Sequence, residues 1–311
     1  MGPQHTDNRL VAVLCILAGV GFASTQDAIV KAMSGSYPAH ETLMLRCIGS
    51  LPVLFVFLWR ENAFKLLATP LWGRVVVRGV ILGFAYLCFV LAIAAMPIAN
   101  AVAIYFTMPF FVAGLAGPML GERVRLHRWL AIIAGFIGVL IMVRPGATVF
   151  EPAAIFALLS ALGYAVGQMI GRPLAQQVPA IVISLWQNVI YFLIAAVLAV
   201  VFSGIDADTF QHPSLVFLSR PMIMPSLPDA ALLLGMGVLA AFGMLLFVNA
   251  YKFGEANFVA PFEYSAMIWA VMFGLLIFND FPDIYTWTGA AVVITAGLLM
   301  VWRDRQMDRA V

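Results

Sequence analysis

Apolar residues along this chain come in long runs, each near the length of a membrane-crossing helix and each separated from the next by short polar punctuation. A helix needs roughly 17 to 25 mostly apolar residues to cross a hydrocarbon core about 30 Å thick. Ten runs meet that requirement, near 9–32, 38–59, 74–95, 98–120, 127–144, 152–172, 179–203, 229–251, 256–279 and 284–302. They predict an all-α integral membrane protein with ten transmembrane helices. Most connections are too short to hold a catalytic domain in water. The exception is 204–228, where Asp206, Asp208, Pro213, Pro221 and Pro225 punctuate a longer loop.

The pattern also repeats. At a shift of 157 residues, Ala99, Asn100, Val102, Ala103, Ala113 and Gly117 fall on Ala256, Asn257, Val259, Ala260, Ala270 and Gly274. Phe89-Val90-Leu91-Ala92 likewise matches Phe247-Val248-Asn249-Ala250. Two halves of five spans follow, 1–148 and 149–311. Because five is odd, the second half crosses the membrane in the opposite sense, which predicts an inverted repeat about a pseudo-twofold axis in the membrane plane. Such halves can exchange conformations around a central site, so the pattern predicts alternating access.

Composition and charge narrow the classes. With 63% hydrophobic and 10% charged residues, the chain has too little polar surface to cover a water-soluble globule. A net charge of +2 without a Lys/Arg run argues against nucleic acid as a partner. If the N-terminus is cytoplasmic, twelve basic residues lie inside: Arg9, Arg60, Lys65, Arg74, Arg123, Arg125, Arg128, Arg172, Lys252, Arg303, Arg305 and Arg309. Only Lys31, Arg144 and Arg220 lie outside, which predicts that both termini are cytoplasmic. Cys15, Cys47 and Cys88 match no zinc or redox spacing, and His5, His40, His127 and His212 are scattered, so no metal site is expected. Neither a Walker motif nor a nucleophile, base and acid arrangement appears, so no catalytic residue and no cofactor are expected.

Certain polar residues sit where lipid would penalise them. Glu263 lies about seven residues into the ninth span, beside Pro261, and an acid at that depth is a functional candidate by default. It is a candidate for carrying a proton or binding a cationic substrate group, with a buried pair to Arg78 as the structural alternative. Asp27 and Lys31 are one helical turn apart and are expected to pair, leaving Lys31 as a candidate external gate or carboxylate contact. Arg46, some eight residues into the second span, either clamps an anion or ties Glu41 to backbone carbonyls. Gln26, Gln168, Gln187, Asn188, Asn249 and Asn257 should face protein or water, most of them in interhelical hydrogen bonds. Asn100 and Asn257 begin repeat-related helices and are expected to cap them. Tyr86, Tyr105, Tyr164, Trp186, Tyr264 and Trp269 are candidates to wall a pocket, with Tyr105 and Phe262 equivalent across the repeat.

With ten spans in two inverted halves, Pro109 followed by an apolar run ending Leu120-Gly121-Glu122, and Pro261-Phe-Glu-Tyr264 followed by Ile268-Trp269-Ala270, the chain resembles the drug/metabolite transporter superfamily in its EamA-domain branch. The sequence departs from that pattern at Phe278-Asn279-Asp280, and Pro261 does not align with Pro109. The resemblance implies a secondary transporter of small metabolites in a bacterial-type inner membrane, its cavity lined mainly by helices 1, 3, 4, 6, 8 and 9. It leaves open an amino-acid-like substrate or a vitamin or nucleotide-type cofactor, riboflavin-like or S-adenosylmethionine-like. An intramembrane enzyme acting on lipid and a receptor-type bundle are the readings from other classes.

Overall fold

A computed structural model describes residues 9–120, 126–144, 151–174, 177–204, 209–253 and 259–308. Gly121, Glu122 and Asn257 lie outside these. The elements among the described residues are helical. The helices are α1 (Arg9–Met33), α2 (Ala39–Arg60), α3 (Trp72–Ala95), α4 (Ile98–Tyr105), α5 (Met108–Leu120), α6 (Leu126–Val143), α7 (Ala153–Leu174), α8 (Ala180–Phe202), α9 (Pro213–Ser219), α10 (Leu227–Phe253), α11 (Ala266–Phe278) and α12 (Ile284–Asp308). Six of them, α1, α2, α3, α7, α8 and α10, are long and apolar enough to cross a membrane. Shorter apolar helices cover Ile98–Val112, Trp129–Val143, Phe262–Phe278 and Ile284–Leu299. The chain is thus an all-helical, multi-pass membrane protein.

The expected fourth and ninth spans are both broken. A turn at Phe106 and Thr107 separates α4 from α5, and the Thr107 hydroxyl donates to the Ile104 carbonyl at 2.7 Å. Two residues on, Pro109 has no amide proton to give a carbonyl one turn back, so the helix restarts and does not run through. In the second half a 3-10 segment, Ala260–Ser265, precedes α11 and carries Pro261 near its start. The shift of 157 lays Phe106 and Thr107 on Glu263 and Tyr264. Although the prolines are out of register, the breaks are therefore equivalent. They also meet, because the Phe106 ring stands edge-on to Tyr264 with centroids 5.0 Å apart.

Glycines set the tightest helix crossings, as close packing inside a bilayer demands. A Cβ on Gly49 of α2 would run into the backbone of Leu234 in α10, and one on Gly237 would meet Ser50 N at 2.6 Å and Gly49 C at 2.8 Å. Gly138 of α6 and Gly289 of α12 face each other in the same manner. In α7, Gly163 and Gly167 admit Ala85 and Leu82 of α3. Between α2 and α8 the link is polar. There the Ser50 hydroxyl donates to Asn188 Oδ1 at 2.8 Å, and Asn188 Nδ2 donates to the Cys47 carbonyl at 3.0 Å.

One face of the bundle carries a polar layer. Lys31 at the end of α1 pairs with Asp280 at 2.8 Å and donates to the Met96 carbonyl at 3.0 Å. The expected pair between Asp27 and Lys31 is therefore replaced by one that ties α1 to the chain just after α11. Arg144 pairs with Asp283 at 2.6 Å. Burial alone would raise the Asp283 carboxyl, but hydrogen bonds from Thr286 and the charge of Arg144 prevail and hold it below the usual carboxylate range. Arg220 donates to the Ser34 carbonyl, and Glu41 accepts from the Ile223 amide, so the long α8–α10 connection is tied to the α1–α2 corner and Glu41 is not Arg46's partner. Asn100, expected as a cap, instead accepts from the Thr286 hydroxyl at 3.1 Å, while Pro97 occupies the N-cap of α4.

Candidate substrate site

Six helices bring polar and aromatic side chains together in one layer of the bundle. Counting 1.5 Å per residue from the helix ends, Asp27, Arg46, Tyr86, Tyr105, Tyr164 and Tyr191 lie roughly 9 to 17 Å below the polar face. That is well inside an apolar slab about 30 Å thick.

Arg46 is the centre of the layer. Its Nε donates to Gln26 Oε1 at 3.2 Å, and its guanidinium lies 4.7 Å from the Tyr86 ring centre and 5.9 Å from that of Tyr191. Both distances are within cation–π range. Tyr86 and Tyr191 stack at 5.7 Å. Tyr105 extends the wall, edge-on to Tyr164 at 5.5 Å and to Phe89 at 5.4 Å. Asp27, half-buried, is the carboxylate on which the Arg46 charge acts, yet the two form no direct ion pair. Among the described residues no hydrogen bond engages either Asp27 oxygen, and the Arg46 guanidinium is held by Gln26 at its Nε and by the neighbouring Cys47 thiol. The layer therefore presents an unspent carboxylate and part of a guanidinium fork, walled by four tyrosines.

Glu263 lies in the 3-10 segment at the break, half-buried, and its charge and that of Asp27 both reach Tyr105. Tyr264 packs on Phe106, and its hydroxyl abuts Gly297 of α12. Phe262, which the shift of 157 lays on Tyr105, packs against the apolar cluster formed by Ala12, Ile16, Val20, Ala250 and Val259. Gln168 is exposed on α7, one turn beyond Tyr164 and on the same side of that helix. Asn249 lies near the end of α10, partly buried. Trp186 stands apart from the layer. It packs edge-on to Trp72 with centroids 4.1 Å apart, and its indole donates to the Leu67 carbonyl at 3.1 Å.

Of the sequence-predicted residues, then, Gln26, Asp27, Arg46 and Tyr105 come together, with Glu263 within electrostatic reach. Arg78 does not depend on Glu263; its Nη1 donates to Gln187 Oε1 at 2.8 Å. Tyr191 is the residue sequence reasoning missed. It sits one turn after Gln187 and accepts a hydrogen bond from that amide at 3.1 Å, so the four-residue spacing was the available signal.

Comparison with known proteins agrees with this architecture. The EamA-like transporter family matches the chain twice, over residues 10–144 and 151–302. A riboflavin transporter of Rhizobium johnstonii is 30% identical over 96% of this chain and 93% of its own length. An S-adenosylmethionine uptake transporter of Rickettsia bellii is 27% identical over 91% of each chain. A pseudopaline exporter of Pseudomonas aeruginosa is also 27% identical, over 91% of this chain and 93% of its own. One solved crystal structure superposes with a TM-score of 0.62 over 96% of both chains at 16% identity, a likeness of fold alone. The chain belongs to the EamA-like transporter family, and is a membrane transporter, not an enzyme.

Proposed function

We propose that this protein is a secondary carrier for a zwitterionic, amino-acid-like metabolite that also bears a cationic or aromatic portion. The observation that carries this reading is the unspent Asp27 carboxylate and Arg46 fork inside a wall of four tyrosines. A guanidinium fork matches a carboxylate bidentately. Asp27 is the counter-charge for an ammonium or sulfonium, and tyrosine faces attract cations and stack on flat rings. S-adenosylmethionine carries all of these groups, and relatives at 24–27% identity are named as its uptake transporters. A flavin-type ring is the second reading, supported by the same tyrosines and by the relative at 30% identity. The relatives include both uptake transporters and an exporter.

Transport proceeds by alternating access between two inverted five-helix halves. The helix pairings support this. Exchanging the halves turns the packing of α1 on α10 into that of α7 on α3, and the packing of α2 on α10 into that of α8 on α3. Equivalent breaks at Phe106–Thr107 and Glu263–Tyr264, and the double family match, support it too. Glu263 and Asp27 are the groups assigned to proton or cation coupling, with Tyr264, Asn249 and Gln168 as secondary contacts. We place the protein in a bacterial-type inner membrane with both termini cytoplasmic, on the distribution of basic residues.

Counterflow tests the reading. Proteoliposomes are preloaded with a mixed metabolite pool, and the isotope-labelled pool is added outside. Selective entry of S-adenosylmethionine or other cationic amino acids supports the proposal. Entry of riboflavin alone moves the assignment to the second reading, and entry of neither, from folded protein, overturns it.

A further inference from the structure

Lys31 and Arg144 each pair with a carboxylate on the polar face, whereas Arg78 has none within ion-pair distance among the described residues. It is six residues into α3, with Arg74 one turn nearer the helix start. Its guanidinium is wedged between α7 and α8. Nη1 donates to Gln187, and Nε lies 2.6 Å from where a Gly171 Cβ would stand, so the guanidinium lies close against α7 at a glycine. Among the described residues that Nε is buried without a hydrogen-bond partner, and Nη2 makes no hydrogen bond. A guanidinium offers five donors in a planar fork, and this one uses a single donor while paying the desolvation cost of its position.

Arg78 is also tied to the central layer. Gln187, which accepts from it, donates to the Tyr191 hydroxyl, and the Tyr191 ring is one of the two that Arg46 faces. Both guanidinium charges act on Tyr164 and Tyr191. Arg46 lies fourteen residues from the end of α2 at Arg60, and Arg78 six from the start of α3 at Trp72. At 1.5 Å per residue, the two differ in depth by about 12 Å, with Arg78 nearer the face that carries the α2–α3 connection.

We propose that Arg78 is a second carboxylate-binding station on the substrate path, between the central layer and the face of the α2–α3 connection. The inference rests on the zwitterion reading above. The substrate carboxylate leaves the Arg46 fork for a second one about 12 Å nearer the face, which shortens the stretch of apolar path over which its charge has no partner.

The test uses S-methylmethionine, a zwitterion with a sulfonium, and its methyl ester, which lacks the anion. Uptake is measured in right-side-out and inside-out vesicles. Arg78→Gln is expected to raise KM for the acid about tenfold from the α2–α3 face, the loss of a charge-assisted pair, and less than twofold from the opposite face. The ester should be indifferent to the substitution. Arg78→Lys, which keeps the charge and the stem but not the fork, should give an intermediate KM and guards against misfolding of the first variant. Equal effects on acid and ester, no effect on either face, or an effect that tracks the anionic lipid content of the vesicles would each overturn the proposal, the last by assigning Arg78 to a lipid headgroup. No uptake of the acid by the unaltered protein would overturn the zwitterion reading, and this inference with it. Normal uptake with an insensitive Arg78→Gln would remove this inference alone.

Discussion

Asp27 makes no hydrogen bond among the described residues, and Arg46 keeps part of its guanidinium fork free beside it. Lys31, Arg144 and Glu41 are each bound to protein partners on the polar face, as expected of charges that hold a structure together. The sequence made most of the central residues visible because polar groups in apolar runs are conspicuous, and Gln26, Asp27, Arg46, Tyr105 and Glu263 all stood out on that ground. Partners were less visible. Lys31 is equally well spaced for Asp27 on α1 and for Asp280 across the bundle, and only the packing of α1 beside α11 decides for the latter. Trp186 shows the reverse, an aromatic in a span whose indole proton is satisfied by a loop carbonyl. At this scale the clearest expectation concerns Glu263. Glu263→Gln keeps the side chain's size while removing its charge, so gradient-driven accumulation should be lost and exchange of preloaded substrate retained. Accumulation that still responds to a pH gradient in this variant would remove Glu263 from coupling.

At the scale of elements, the breaks in the fourth and ninth spans are the features that sequence gave only in part. Pro109 and Pro261 announced irregularity but lie out of register, so equivalence of the bends was not readable from the prolines alone. It follows from backbone turns at Phe106–Thr107 and at Glu263–Tyr264, held by a hydroxyl in one case and a 3-10 segment in the other. Glycine crossings were legible as small residues but not as pairs. Gly237→Leu should overpack the α2–α10 crossing, where its Cβ would meet the Ser50 and Gly49 backbone. A loss of about 1–3 kcal/mol is expected, seen as a lower unfolding temperature in detergent, and an unchanged temperature would contradict the packing described. The Lys31–Asp280 pair ties α1 to the end of α11, so the polar face is predicted to open only when this pair parts. Lys31→Ala should increase labelling, from that face, of a cysteine placed at Gln168. The swap of Lys31→Asp with Asp280→Lys should restore protection. Labelling unaffected by Lys31→Ala would show that the pair has no part in closing that face.

For the whole molecule, the family match places the chain among transporters, and the proposal of two inverted five-span halves around a central site accounts for how its helices pair. What the linear pattern did not convey is which helices meet. Asp27, Arg46, Tyr86, Tyr105, Tyr164 and Tyr191 come from six different helices, and only the packing of those helices assembles them in one layer. The account's central claim is that this layer reads a zwitterion with a fixed polarity, carboxylate on Arg46 and cation on Asp27. The most direct measurement is discrimination in proteoliposome uptake, S-methylmethionine against its methyl ester and against neutral methionine, for the unaltered protein, Arg46→Gln and Asp27→Asn. Arg46→Gln should lose the preference for acid over ester while keeping that for the sulfonium over the thioether, and Asp27→Asn should do the reverse. If both folded variants keep both preferences, the carboxylate and the cation are recognised elsewhere and the account is wrong.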